Sequence, residues 1–247
     1  MRRICETVVY MLVMLGVFES ASAQQPKIAP KADKALKRMC TYLAKLKSFS
    51  FEAEATYEDV EDDGLKLQYT DNLKVSIRRP NRVATDRQGD IEDRKSFYNG
   101  KTITLYDRKA KTYAVAKAPE TIDKTLDHIN KTYNYNPPLA DLLFSDPYKV
   151  LTENVIRGVY VGLHQVGKTK CHHLAFRQTT LDWQVWIDAG KKPLLRKVVI
   201  TYLREGGQPQ FYSRISNWEI NPTFNDGSFT FTPPNAVRKI PFVIRGD

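Results

Sequence analysis

From Val155 to Trp218 the chain is a succession of short apolar segments, each about one strand long. Each is set off by a turn signal. Gly167-Lys168 precedes Cys171-His172-His173-Leu174-Ala175-Phe176, and Gln178 to Thr180 separates that run from Asp182 to Ile187. Gly190 to Pro193 follows, and Glu205-Gly206-Gly207-Gln208 divides Leu194–Leu203 from Pro209–Trp218. Short strands at this spacing predict an antiparallel meander. Within one of them, Trp183, Val185 and Ile187 share a face, and Gln184, Trp186 and Asp188 take the other.

The rest of the chain shows one helical period, a long period-two region, and a second helical stretch. In Lys31 to Lys47, Ala32, Leu36, Met39, Leu43 and Leu46 recur at three- and four-residue spacing, which predicts a helix with one buried face. Phe49, Phe51, Ala53, Ala55 and Tyr57 then alternate with polar residues. After the turn at Asp62-Asp63-Gly64, so do Leu65, Leu67, Tyr69, Leu73, Val75 and Ile77, with Asp71 breaking the run. Asn99-Gly100 predicts a type I′ hairpin, which needs positive φ at both residues. Pro119 to Thr132 reads as a helix, and Leu139 to Phe144 as a second, very apolar one bounded by Pro137-Pro138 and Pro147. Phe229-Thr230-Phe231 reads as a closing edge strand. A sheet of about eleven strands must curl to bury its apolar face. The expected class is therefore α+β: a curved antiparallel sheet forming an unclosed half-barrel, its concave side covered by helices, in one domain of residues 24–247.

The first residues predict the compartment. Arg2 and Arg3, the apolar run Val8 to Phe18, and Ala21-Ser22-Ala23 form a signal peptide over 1–23, cleaved after Ala23. Cys5 precedes the apolar run, so it is not placed as a lipid-anchoring cysteine. No later stretch is long enough to cross a membrane as a helix, and the expected product is a periplasmic, soluble monomer. The formal net charge of +10 fits attraction to anionic headgroups or acidic polymers, or solubility alone. Cys40 and Cys171 remain as either a disulfide, worth roughly 4–5 kcal/mol at most for so long a loop, or two buried thiols.

Several stretches resemble a family of bacterial periplasmic proteins in the LolA/LolB-like (lipoprotein localisation factor) superfamily. They are Arg79-Pro80, Tyr98-Asn99-Gly100-Lys101, Pro138-Leu139-Ala140-Asp141-Leu142-Leu143, Tyr160-Val161-Gly162, Cys171 to Phe176, Asp182-Trp183-Gln184 and Trp218. The resemblance implies an unclosed barrel with a helical lid and a cavity suited to acyl chains. It carries over no functional residue of the carriers themselves.

The residues dictate no reaction. His172 and His173 point to opposite faces of a strand, no metal-ligand spacing is present, and no cofactor is expected. There is no Gly-x-Ser-x-Gly elbow or phosphate loop; a hydrolase would need Cys171 with a histidine, or His173 with Asp182, across neighbouring strands. Export and scattered charge argue against a nucleic-acid partner. The expected function is non-catalytic binding or carriage of a hydrophobic ligand, a lipid or an acylated protein. Phe49, Phe51, Leu73, Val75, Ile77, Trp183 and Ile187 on the sheet, with Leu126, Ile129, Leu142 and Leu143 on the lid, are the expected lining. Arg78 and Arg79 are the expected headgroup contacts. The alternative is an envelope protein-interaction module with a filled core, bound to its partner at an open sheet edge.

Overall fold

A computed structural model describes residues 27–242; the predicted leader 1–23 and its cleavage point lie outside them. Helix α1 (Pro30–Ala44) begins with proline at its first turn and Asp33 near its positive end, both favourable there. Its stripe of Ala32, Ala35, Leu36, Met39, Cys40 and Leu43 is buried. Two long strands follow, β1 (Ser48–Val60) and β2 (Lys66–Arg78), turning at Gly64, whose φ of +88° is costly for any side chain-bearing residue. The meander continues with β3 (Arg82–Gly89), β4 (Asp93–Tyr98), β5 (Thr102–Asp107) and β6 (Thr112–Lys117). Then come helix α2 (Ile122–Tyr133), a 3-10 turn (Ala140–Leu143) and helix α3 (Pro147–Thr152). A second meander runs through β7 (Arg157–Val166), β8 (Thr169–Arg177), β9 (Leu181–Asp188), β10 (Leu195–Tyr202) and β11 (Gln210–Ile220). A two-residue strand, β12 (Arg238–Lys239), ends the described chain.

The strands form one sheet in the order β12-β6-β5-β4-β3-β2-β1-β11-β10-β9-β8-β7. The two meanders meet where β1 pairs with β11, and the sheet does not close. This order explains the helical cover. β6 lies near one end of the sheet and β7 at the other, so residues 118–156 must cross from one end to the other, and they do so over the apolar face.

Four details correct the sequence reading. Among the described residues the sheet has twelve strands, and β12 runs parallel to β6, so it is mixed rather than wholly antiparallel. Phe229 and Phe231 form no edge strand. Phe229 ends a 3-10 turn (Asp226–Phe229), and Phe231 packs on the outer face against Phe97, Tyr106 and Tyr113. These rings fill a surface of the sheet, so they cannot extend its edge. At the β4–β5 turn only Gly100 has positive φ; Asn99 instead accepts from Lys101 N, Thr102 N and Thr102 Oγ1 through Oδ1. The stretch Leu139–Phe144 is one 3-10 turn entered through Leu139 at φ +69°, because the prolines before it deny it a longer helical run.

Candidate functional site

The concave face is built by strand alternation. Phe49, Phe51, Ala53 and Ala55 of β1 stand opposite Ile77, Val75, Leu73 and Asp71 of β2. Across β9 and β8, Ile187, Val185 and Trp183 stand opposite His172, Leu174 and Phe176. Leu142 and Leu143 from the 3-10 turn and Leu126 and Ile129 from α2 close over them. All eleven expected lining residues thus belong to one apolar cluster. Its interior is packed: Phe49, Ile77 and Ile187 are fully buried, and Trp218 stacks on Phe49 at 5.9 Å and lies tilted against Phe51 at 4.8 Å. Two depressions, of about 240 and 260 Å³, lie on the outer face, around Ala175 and Gln184 and around Thr56 and Tyr212. The stripe of α1 is the part of this interior that the lining prediction left out. Its three- and four-residue period was the available signal.

The cover is held at one end. Ile122 N donates to Pro80 O at 2.9 Å, and Thr125 Oγ1 to Pro119 O at 3.2 Å. The Asp123 carboxylate accepts from Ser145 N and Oγ. In α2 only the first-turn residues Ile122 and Thr125 are buried; Leu126 and Ile129 are half-buried. The helix ends at Asn134 with φ +48°, and a second left-handed residue, Leu139, begins the 3-10 turn.

Arg78 and Arg79 part company. Arg78 faces outward, donating to Phe224 O at 2.9 Å and pairing with Asp226, so it ties down the C-terminal strap and is not a headgroup contact on the concave side. Arg79 turns under the cover. Its Nη1 donates to Leu143 O at 2.6 Å, and its guanidinium lies 5.8 Å from the Phe49 ring centre. Burial pushes its pKa down from the ordinary arginine value.

Asp71, which interrupts the apolar alternation of β2, is almost fully buried at 2% exposure on the concave face. Arg87 Nε donates to its Oδ2 at 2.6 Å, and Arg87 Nη1 reaches Glu92 at 2.7 Å. The other oxygen, Oδ1, occupies the space a side chain would take at Gly89: a Cβ there would sit 1.6 Å from it. A lone Asp within a period-two apolar run was the sequence signal for this pair.

Cys40 and Cys171 are both buried free thiols. Cys40 belongs to the core on the concave side; Cys171 lies opposite Asp188, out of phase with the inward Leu174 and Phe176. The sheet itself separates them, so the disulfide alternative is corrected. Burial pushes the Cys40 thiol up to about 12 and the Cys171 thiol up to about 11, which keeps both protonated at neutral pH. The two candidate acid–base groups also have other partners. His173 joins His164 at 2.9 Å and Gln184 at 2.9 Å and stacks on Trp186, while Asp182 forms a two-point pair with Arg177 at 2.9 and 2.7 Å. His172 faces the other way and bonds Tyr160 Oη at 3.0 Å.

The sequence model of the DUF2092 family, "Predicted periplasmic protein", matches residues 32–243. The chain belongs to this family. No curated protein matches it. The crystal structure of the Mycobacterium tuberculosis lipoprotein LppX is similar at 11% identity and TM-score 0.52, covering 79% of this chain and 98% of LppX. LprF from Mycobacterium bovis aligns at 13% identity and TM-score 0.48, over 86% of this chain and 100% of LprF. The LolA superfamily protein NE2245 from Nitrosomonas europaea aligns at 9% identity and TM-score 0.38, over 81% and 97%. At 11% identity the likeness to LppX is one of fold: this DUF2092 protein is an open half-barrel with helices over it. Among its described residues, no helix is long and apolar enough to cross a membrane.

Proposed function

We propose that this DUF2092 protein is an exported, non-catalytic binding or carrier protein for a hydrophobic ligand, a lipid or the acyl part of a lipoprotein. The leader is removed after Ala23, and residues 24–247 act as a monomeric periplasmic domain. One observation carries the reading: sheet and cover share a single apolar surface, yet the hydrogen bonds of α2 to the rest of the protein lie at its start. A ligand binds by lifting α2 and the 3-10 turn and replacing their contacts with Phe49, Phe51, Leu73, Val75, Ile77, Trp183 and Ile187. Each buried CH₂ of an acyl chain contributes about 0.8 kcal/mol, enough for reversible binding by one long chain. The engaged partners of His173 and Asp182 and the protonated Cys171 support a non-catalytic role.

The test is native mass spectrometry of the protein purified from its own envelope, with organic extraction, together with titration of a fluorescent fatty acid. A co-purifying lipid or acyl peptide and saturable uptake are expected. A clean apo mass with no uptake would sink the reading.

A second reading is favoured by the β7 edge, where Val161 and Leu163 are 47% and 58% exposed. Among the described residues, edge hydrogen bonds there reach only Gly158, which bonds Lys27 O and Ala29 N. An extended acidic segment of an envelope protein could add to this edge, between Arg157 and Lys168, in a protein that carries +10 overall. Capture of such a strand, lost in Leu163→Lys with ligand uptake unchanged, would establish this reading.

A further inference from the structure

Four arginines of this protein pair with carboxylates in one recurring way. Arg177 presents Nε and Nη2 to the two oxygens of Asp182. Arg196 turns the same two nitrogens to Asp188, at 3.2 and 2.8 Å. Arg87 does so with Asp71, and Arg108 with Asp93. This edge of the guanidinium carries two parallel N–H groups and matches the two oxygens of a carboxylate or phosphate.

Arg79 is different. Its Nε and Nη2 are buried and have no hydrogen-bond partner among the described residues. Among the described residues its guanidinium makes one hydrogen bond, from Nη1 to the carbonyl of Leu143 in the cover. Asp123 contributes a nearby negative charge, but its oxygens are bonded to Ser145. The guanidinium lies against Phe49, a fully buried ring of the apolar face. A cation withdrawn from water with two unused donors is costly, and such groups in a folded protein call for a partner.

We infer that the Nε/Nη2 edge of Arg79 is the receptor for the anionic head of an amphiphilic ligand, a carboxylate or phosphate whose hydrocarbon chain lies along the Phe49 side of the concave face. This rests on the hydrophobic-ligand reading and narrows it to anionic amphiphiles. The head docks where the guanidinium edge becomes accessible as the 3-10 turn lifts, and the chain replaces the contacts of the cover. Arg78 takes no part, since it faces outward to Asp226.

The experiment is calorimetric titration of the mature protein with palmitate, palmitate methyl ester and hexadecyl phosphate. The ester keeps the chain and removes the charge. Palmitate or the phosphate should bind about 10- to 100-fold more tightly than the ester, the range expected for a charged hydrogen-bonded pair. The tighter of the two anions identifies the head chemistry. Arg79→Gln should abolish the preference for the anions over the ester. Arg79→Lys keeps the charge but not the two-donor edge, and should lose about tenfold for the anions. Equal binding of anions and ester by the unaltered protein would overturn the headgroup site while leaving the hydrophobic-ligand reading in place. Failure of all three probes to bind would overturn both. The acid-to-ester comparison needs no variant, so the inference stays testable if the Arg79 substitutions unfold the protein.

Discussion

Helices α1 and α2 are both amphipathic and both belong to the same apolar cluster, but they are seated differently. In α1 the buried stripe runs from Ala32 to Leu43, and the helix packs against α3, β7, β8 and β9. Ala32 and Ala35 let its backbone come close to its neighbours. In α2 burial stops after the first turn, the hydrogen bonds to the rest of the protein gather at its N-terminal end, and its nearest packing is against the 3-10 turn. An amphipathic period therefore shows that a helix has a buried face, but not how permanently it is buried. The α1 side is core; the α2 side is a cover.

The largest test of this difference is a matched pair of truncations. Leu43→Ala should cost about 3 kcal/mol, the cost of a cavity in a filled core. Leu126→Ala should cost about 1 kcal/mol, because the half-buried site can collapse. Equal losses in denaturant unfolding would break the distinction. Next, Asp71→Ala should cost about 2 kcal/mol: it strips a partner from Arg87, which is partly solvated and keeps Glu92. A change below about 0.5 kcal/mol would mean that the pair contributes nothing to the concave face.

Hydrogen exchange should sharpen the comparison without mutation. Amides in the C-terminal half of α2 should exchange at least about tenfold faster than those in the middle of α1. Ligand should slow the α2 amides most, and uniform protection would contradict a movable cover.

Acid should narrow the difference. Burial pushes the pKa values of both His172 and His173 below the ordinary histidine value. The unfolded chain then binds more protons than the folded one as pH falls through that interval, so stability rises with pH there. It is fully present above about pH 6.5 and is lost on acidification toward the depressed folded values. Both histidines lie on β8, His172 on the concave face toward α1 and His173 on the outer face, while β1 to β6 contain no histidine. Thermal melts between pH 7.5 and 5 should show the loss, and replacing His173 with Gln should shrink it. The smallest expected effect is at the β7 edge: Leu163→Lys should change stability by less than about 0.5 kcal/mol, since the side chain is already in water.

Much of this fold was legible because local rules decided it. The three- and four-residue period placed α1. The period of two from Phe49 to Ile77 gave the apolar face of β1 and β2, and the alternation around Trp183 gave the inward face of β9. The seven expected lining residues on the sheet then met in one cluster, because strand parity sets the face and the turns kept it in phase. At the turn after Tyr98 a local rule named the wrong geometry, since the Asn99 side chain closes it.

What only the tertiary structure decided depends on residues far apart in sequence. Cys40 and Cys171 look able to pair until the sheet falls between them. Asp71 looks like a flaw in a strand until register brings Arg87 to it. Phe231 looks like an edge strand until three rings of the outer face receive it. Strand order is set by where the chain can return and pair, and a sequence does not display that. Here the return of β11 to β1 put β6 and β7 at opposite ends of the sheet and obliged the helices between them to cross its apolar face.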